Sequence, residues 1–583
     1  TIFLPFAFFC YPLCMAAGLH GSASQHTALE GAPMSEFLID RIRARARMGA
    51  KAGTLAMLAV PLAAALIGGP AWAQDAAGEK PRRGGQLQAL VQPEPPVLTT
   101  AFNNSFPIGV VSTNVYEGLV SFDASQRPQP ALATRWDISP DGKTVTFHLR
   151  KGVKWHDGVD FTSADVKFSV QQIWQKTHPR GRNTFAAVSS VDTPDAHTVV
   201  FHLKHPSLVI FSSLNANEGQ ILPRHLYEGT DIQTNPYNIK PVGTGPFKFK
   251  EWRKGQYIAL ERNPDYWDSG KPYVDQVIFR IIPDAASRAA ALETGDVQYA
   301  PFDPVPLADV QRLRDNPELV VSTSGYDWQS AYVFMEYNLR NPVLKDLRVR
   351  QAIAHAINRQ ELVDVVWYGL GKPATGPVPS SLKSVYTAEG VPQYAFDPAR
   401  AEKLLDEAGY KRNADGVRFV LNQEYQNFNE TFKNNAEYIR QSLKRVGIDV
   451  KVHNRDLAGH LKAVYGEYAF DLNSGRWVPT MDPEVGGFRH YWSQSQAKGV
   501  PWTNASGYSS AETDRVIQAI RVEADPARRT RLFHEFQRLA QTDLPVLPLF
   551  EQRNFTVMSK KVRGLSQAPD SALASLKDVW LQP

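Results

Sequence analysis

Cysteine is nearly absent: Cys10 and Cys14 are the only two in 583 residues, and both precede residue 74. A chain cleaved at that point has no disulfide, no thiol nucleophile and no thiolate metal site. Excess charge of one sign is also missing. The net charge is +5, or +3 without residues 1–73 and their five basic and three acidic side chains, and no basic stripe invites nucleic acid. Beyond residue 73 no apolar run is long enough to span a bilayer. Catalytic signatures are missing too. Gly243-Thr244-Gly245 lacks the Gly-Lys-Ser/Thr ending of a phosphate loop and reads as a tight chain crossing. There is no G-x-S-x-G motif, and His534-Glu535 has no second histidine four residues after the first. His202 and His205 straddle the end of a strand and read as surface histidines, and the carboxylates show no paired spacing. The expectation is a chain that is not an enzyme and needs neither metal nor cofactor.

What is present begins with an export pattern. Arg41, Arg43, Arg45, Arg47 and Lys51 precede the apolar stretch TLAMLAVPLAAALIGG, which ends at Ala71-Trp72-Ala73. Basic run, short apolar core and A-x-A site together predict a signal peptide cleaved before Gln74. Pro61 and the short apolar length argue against a membrane anchor. Translation is expected to begin at Met34 or Met48, with residues 1–33 upstream of it. No cysteine stands at the cleavage point to take a lipid, so a soluble product is expected.

The remaining residues, in a chain that is 43% hydrophobic, suffice for a large core divided into three or four units. Val145, Phe147 and Leu149 alternate with polar residues after a Pro140-Asp141-Gly142 turn, which predicts a β-hairpin. Thr162 and Asp165 form a capping box, and Val166, Val170, Ile173 and Trp174 follow at helical spacing. TVVFHL (198–203), QYIALER and QVIFRII read as further strands. After residue 342 helices dominate, with Asp346, Asn358 and Asp397 as N-caps, Pro398 at a first helical position, and Gly369 and Gly409 as stops. RFVLNQEY, NNAEYIRQSLKRVG and IDVKVHN read as strand, helix and strand. Seven tryptophans, at 252, 267, 328, 367, 477, 492 and 502, exceed what a core takes up without a partner for each indole N–H, so some are expected to line a cavity.

Several stretches resemble, in order, one protein family: VYEGLVSFD, PALATRWDISPDGKTVTFHLRKGVKWHDGVDFTSADVKFS, PVGTGPFKF, LERNPDYW, LRVRQAIAHAINR, DPARAEKLLDEAGY, and a close from YSSAETDRVI through LPVLPLF to VRGL. The family is that of the family 5 extracellular solute-binding proteins of bacterial ABC transporters, the oligopeptide, dipeptide and nickel receptors. The resemblance spans residues 84–583. It implies an α/β fold of the type II periplasmic-binding-protein kind, two α/β lobes around a ligand cleft with an extra inserted domain. On this sequence lobe I falls at 74–117, 240–325 and 545–583, the insert at 118–239, and lobe II at 326–544.

It also implies a set of cleft residues. Gly475, Arg476 and Trp477 fall where similar proteins lay a loop against ligand. Peptide-binding members place an aspartate three residues beyond that tryptophan to meet the ligand's α-amino group; this chain has Thr480 there, and Asp482 two residues later. Dipeptide-binding members hold the ligand carboxylate with an arginine where this chain has Gln426. Asn104 and Phe106 from the first lobe, and Trp328 and Asn338 from the second, complete the candidates. The implied work is periplasmic capture of a peptide or peptide-sized solute by a monomer that docks on an inner-membrane permease. Sugar conjugates, opines and metal chelates stay open as ligands. A secreted hydrolase on the same fold, or a sensing receptor, is the alternative.

Overall fold

A computed structural model describes residues 80–583 except Ser330 and Pro479. The export pattern before Gln74 lies outside the described residues. Two large sheets organise the rest. The first has seven strands in the order Leu319–Ser322, Thr556–Ser559, Tyr299–Ala300, Gln86–Leu90, Gln276–Arg280, Tyr257–Arg262 and Phe247–Arg253. The second has six, in the order Gly371–Pro373, Val546–Gln552, Tyr332–Tyr337, Leu472–Trp477, Phe419–Tyr425 and Ile448–His453. A four-stranded antiparallel sheet, within residues 133–203, belongs to the segment expected as the insert.

The chain passes between the two large sheets at 323–331 and again at 553–555. That second crossing corrects one expected boundary. Strand Val546–Gln552 lies inside the second sheet with all seven residues buried, so lobe II runs to 552 and does not end at 544. Proline cannot donate to a ladder, so Pro548 inside this strand needs a local irregularity. Here it sits opposite Phe334, where the register slips between Val333 and Phe334 and the missing donor is tolerated.

Local signals behave as their chemistry dictates. Strands Ala133–Ile138 and Thr144–Leu149 pair antiparallel around Asp141, whose carboxylate accepts from the Ser139 hydroxyl at 2.6 Å, and Gly142 takes the left-handed φ of 66° that the turn needs. The Thr162 N–H donates to Asp165 Oδ2 at 2.8 Å to start helix Ser163–Phe168, which continues as wider π turns through Trp174. Val166, Val170, Ile173 and Trp174 are all buried. Strands Phe419–Tyr425 and Ile448–His453 pair in parallel across helix Glu430–Arg445, as a βαβ unit must.

Glu117 ties the first lobe together. Its buried carboxylate accepts from Tyr266 Oη at 2.8 Å, from Trp267 Nε1 at 3.0 and 3.1 Å, and from Thr244 Oγ1 at 2.8 Å. Three of the sequence stretches that carry the family resemblance therefore converge on one acid. Burial pushes its pKa up, against these bonds and the charge of Lys577. The expected tight crossing at 243–245 is also present: a Cβ at Gly243 would overlap the Val115 carbonyl oxygen, and the Gly245 N–H donates to that same oxygen at 2.9 Å. His156 staples the turn, with Nδ1 accepting from the Gly243 N–H at 3.2 Å and Nε2 donating to the Gly245 carbonyl at 2.9 Å.

Two outcomes follow from this crossing. Gly243→Ala should lower stability by about 3 kcal/mol, because the added methyl runs into the Val115 carbonyl, and urea unfolding would read it; an unchanged midpoint contradicts the crossing. His156 must keep one bare nitrogen, and burial pushes its pKa down to about 4. With the folded value below the unfolded one, its contribution is whole above pH 6.5 and fades as the pH falls toward 4. The stability gap between the parent and His156→Ala should therefore shrink on acidification from pH 7 to pH 4; a constant gap contradicts a neutral staple.

Candidate ligand cleft

Strand Leu472–Trp477 lies between Tyr332–Tyr337 and Phe419–Tyr425 and delivers Gly475, Arg476 and Trp477 at its end. Gly475 is required by its neighbour. A Cβ there would overlap the Gln426 side chain, which is buried against the strand and accepts from the Arg476 N–H through Oε1 at 2.9 Å. Gln426 also donates its own N–H to the Ser474 carbonyl at 2.9 Å. The amide thus clips the strand end in place. Trp477 is buried inside lobe II, edge-on to Tyr332 at 4.7 Å and against His490 at 5.2 Å.

Arg476 is the member of this trio that reaches toward the first lobe. Its Nη1 donates to Gln552 Oε1 at 3.3 Å and its guanidinium lies 5.7 Å from the Phe428 ring centre. Burial holds its pKa below the usual arginine value, partly offset by Asp303 of lobe I. Asp303 accepts from the Phe555 N–H at 2.8 Å and from Gln552 Nε2 at 3.4 Å. Burial raises its pKa to about 6, with the Phe555 N–H and Arg476 opposing. Phe302 and Asp303 both hold left-handed φ, 59° and 53°, which non-glycine residues adopt only where the surroundings enforce it.

On the first-lobe wall Phe106 stacks on Phe302 at 4.4 Å. The Asn104 amide lies 2.8 Å from Arg180 and, in the orientation that satisfies both groups, its oxygen accepts from the guanidinium. Arg180 also grips Glu218 by two hydrogen bonds, one of them 2.9 Å from Nε to Oε2. Burial would raise the Glu218 pKa, but the charge and bonds of Arg180 bring it below the usual range. Insert and second lobe touch where Gln126 Nε2 donates to the Ser381 carbonyl at 2.7 Å and where Asn215 Nδ2 lies 2.9 Å from Met481 Sδ.

The remaining candidates are engaged elsewhere. Asp482 caps helix Pro483–Gly486, accepting from the Glu484 N–H at 2.9 Å, and pairs with Arg529 at 2.7 Å, both side chains nearly buried. Its charge is spent inside lobe II. Asn338 donates to the carbonyls of Tyr468 and Phe470 at 3.1 and 2.8 Å and organises a lobe II loop. Trp328 lies in the first crossing, edge-on to Phe122 at 4.6 Å. Thr480 is buried with a left-handed φ of 62°. Among the described residues no cluster of three or more His, Cys, Asp or Glu is placed to hold a metal, and no helix is long and apolar enough to cross a membrane.

Sequence reasoning did not single out Asp303, Arg180, Glu218 or Arg489. The first three are linked only by folding and leave no local mark. Arg489 does leave one: in GGFRHYW it is a lone charge among aromatic residues, with no acid three or four positions away.

The family model of bacterial extracellular solute-binding proteins, family 5, matches residues 127–499. The oligopeptide-binding protein AppA of Bacillus subtilis is 30% identical over 523 residues, covering 86% of this chain and 92% of that protein. The structure is similar to the periplasmic binding protein DppA of Helicobacter pylori in complex with the peptide STSA, with a TM-score of 0.70 and 28% identity over 86% of this chain and 99% of that one. It is also similar to AgaA of A. tumefaciens R10 in complex with agropinic acid, with a TM-score of 0.67 and 27% identity over 86% and 99% of the two chains.

The fate of Asp482 can be checked directly. Asp482→Asn should cost about 3 kcal/mol in urea unfolding, because it removes one of the two carboxylates that hold a buried arginine. Stability equal to the parent's would mean that Asp482 is free of Arg529 in solution.

Proposed function

The chain belongs to the bacterial extracellular solute-binding proteins of family 5, and from that premise we propose that it captures a peptide or peptide-sized solute between its lobes for import. The observation that carries this reading is the pair of crossings between the two large sheets, with Asp303 of one lobe acting on Arg476 of the other and linked to it through Gln552. Two crossings allow the lobes to rotate as bodies, and the polar groups between them exchange water for solute as they close. Relatives named for oligopeptide, glutathione and dipeptide binding, and neighbours holding a peptide or agropinic acid, support a solute of that size.

Energetics set the demand on the solute. Micromolar binding is about −8 kcal/mol. Moving a closed form from about 1% to about 99% takes about 5.5 kcal/mol of that as preference for the closed state. Stacking on Phe106 and charge-assisted hydrogen bonds in the cleft supply terms of this order. No covalent step is involved. The export pattern at residues 41–73, with cleavage before Gln74, would place the mature chain in the periplasm as a monomer. The closed complex would dock on an inner-membrane ABC permease, whose ATPase supplies the energy.

Native mass spectrometry of protein purified from its host tests this reading. The expected spectrum carries one peptide-sized solute per chain, released with unchanged mass on unfolding. Release of a cleaved product would establish the hydrolase alternative, and empty protein that binds no member of a peptide library would overturn capture.

A further inference from the structure

Among the described residues no hydrogen bond or ion pair engages the Arg489 side chain. It sits in the short turn Phe488–His490 that follows the Trp477 loop. Both neighbours are fixed by aromatic packing: Phe488 lies 5.0 Å from Phe536 and 5.6 Å from Phe533, and His490 lies 5.2 Å from Trp477 and 5.3 Å from Phe334. The backbone of the turn is therefore held in place. Its Nε is shut off from solvent, and among the described residues no hydrogen bond engages it. His490 beside it has both ring nitrogens buried without partners and is held neutral, its pKa pushed down to about 3 by burial, with Arg489 adding to the effect.

The groups that face Arg489 make the imbalance plain. They are the phenols of Tyr465 and Tyr332 and, from the insert, the guanidinium of Arg180. Burial, with the like charge of Arg180 contributing, holds the Arg489 pKa below its ordinary value, and among the described residues no carboxylate pairs with it, the buried Glu336 acting instead on the two phenols. Arg180 is already matched by Glu218 and Asn104. One half-buried positive charge is left over where lobe II meets the insert. A guanidinium whose Nε is cut off from water with no acceptor is costly to hold, and hydroxyl groups beside it complete a site for an anion.

Building on the capture reading, we propose that Arg489, with Arg180 and Asn104 opposite, is an anion seat in the cleft, and that the captured solute is anchored there by a carboxylate. The surrounding residues favour this polarity. Thr480 supplies no charge for an amino group, Asp482 is taken up by Arg529, and Gln426 is committed to the backbone of Arg476. The carboxylate has two possible sources, the C-terminus of a peptide or the acid group of a sugar conjugate.

Three probes separate the cases in tryptophan-fluorescence titrations: a tripeptide pool as free acids, the same pool as C-terminal amides, and agropinic acid. Wild-type protein should retain the free acids, agropinic acid or both, and amidation should weaken peptide binding at least about tenfold. Binding of the free acids points to the peptide terminus, and binding of agropinic acid alone to the conjugate. Arg489→Gln should weaken the retained acid about thirtyfold, as loss of a desolvated charge pair does. It should at the same time raise the Tm of the empty protein, because the unpaired charge is gone; a purely structural arginine would lower it. Arg489→Lys should recover part of the affinity. Equal binding of amides and free acids, unchanged affinity in Arg489→Gln, or a fall in its empty-state Tm overturns the seat while capture stands. Retention of none of the probes also overturns it, and if protein from the host carries no solute either, capture falls with it.

Discussion

Three residues, 553–555, carry the chain from the end of one sheet into the next, and this short crossing governs the rest of the molecule. It is held at both ends by hydrogen bonds. The Gln552 N–H donates to the Ala331 carbonyl at 2.8 Å and Asn554 Nδ2 to the Gln329 carbonyl at 3.2 Å, which binds the two crossings to each other. The Phe555 N–H donates to Asp303 in the first lobe, and the Gln552 side chain spans from Asp303 to Arg476 in the second. A rotation of one lobe against the other must pass through these few torsions. The same rotation must also stretch or shorten the line from Asp303 through Gln552 to Arg476. The axis of motion and the polar floor of the cleft are thus one set of side chains.

This arrangement divides labour among the residues that attract attention in the sequence. Glu117, Tyr266, Trp267 and Thr244 belong to the most recognisable stretches, and their hydrogen bonds tie one another together. Trp477 and Asp482, in the loop that looks most like a ligand platform, anchor that loop to the lobe II core and to Arg529. What remains for a solute is a smaller group of side chains whose charges are only partly answered within the fold.

Much of the fold was legible because its signals are local. The Asp141-Gly142 turn, the Thr162–Asp165 box, the caps at Asp346, Asn358 and Asp397, and the strand-helix-strand at 419–453 each depend on neighbours within about one turn or one hairpin. The end of lobe II was placed at 544 from the resemblance alone, and only the pairing of strand Val546–Gln552 with a strand more than two hundred residues earlier shows that it belongs to the second sheet. The cleft was legible in outline only. Gly475, Arg476 and Gln426 do come together, but the reason, a backbone clip that forbids a Cβ, is a contact across fifty residues. Whether a charge is spent or spare depends on partners that folding alone brings near, which is why Asp482 drew notice and Arg489 did not.

The central claim is that the two lobes move as bodies about the paired crossings and close on a solute. Spin labels at Lys250 and Lys451, exposed on the outer strands of the two large sheets, report that motion directly. On adding saturating solute, the account predicts that the inter-label distance distribution shifts and narrows to a single closed population. A distribution that is identical with and without bound solute would contradict it.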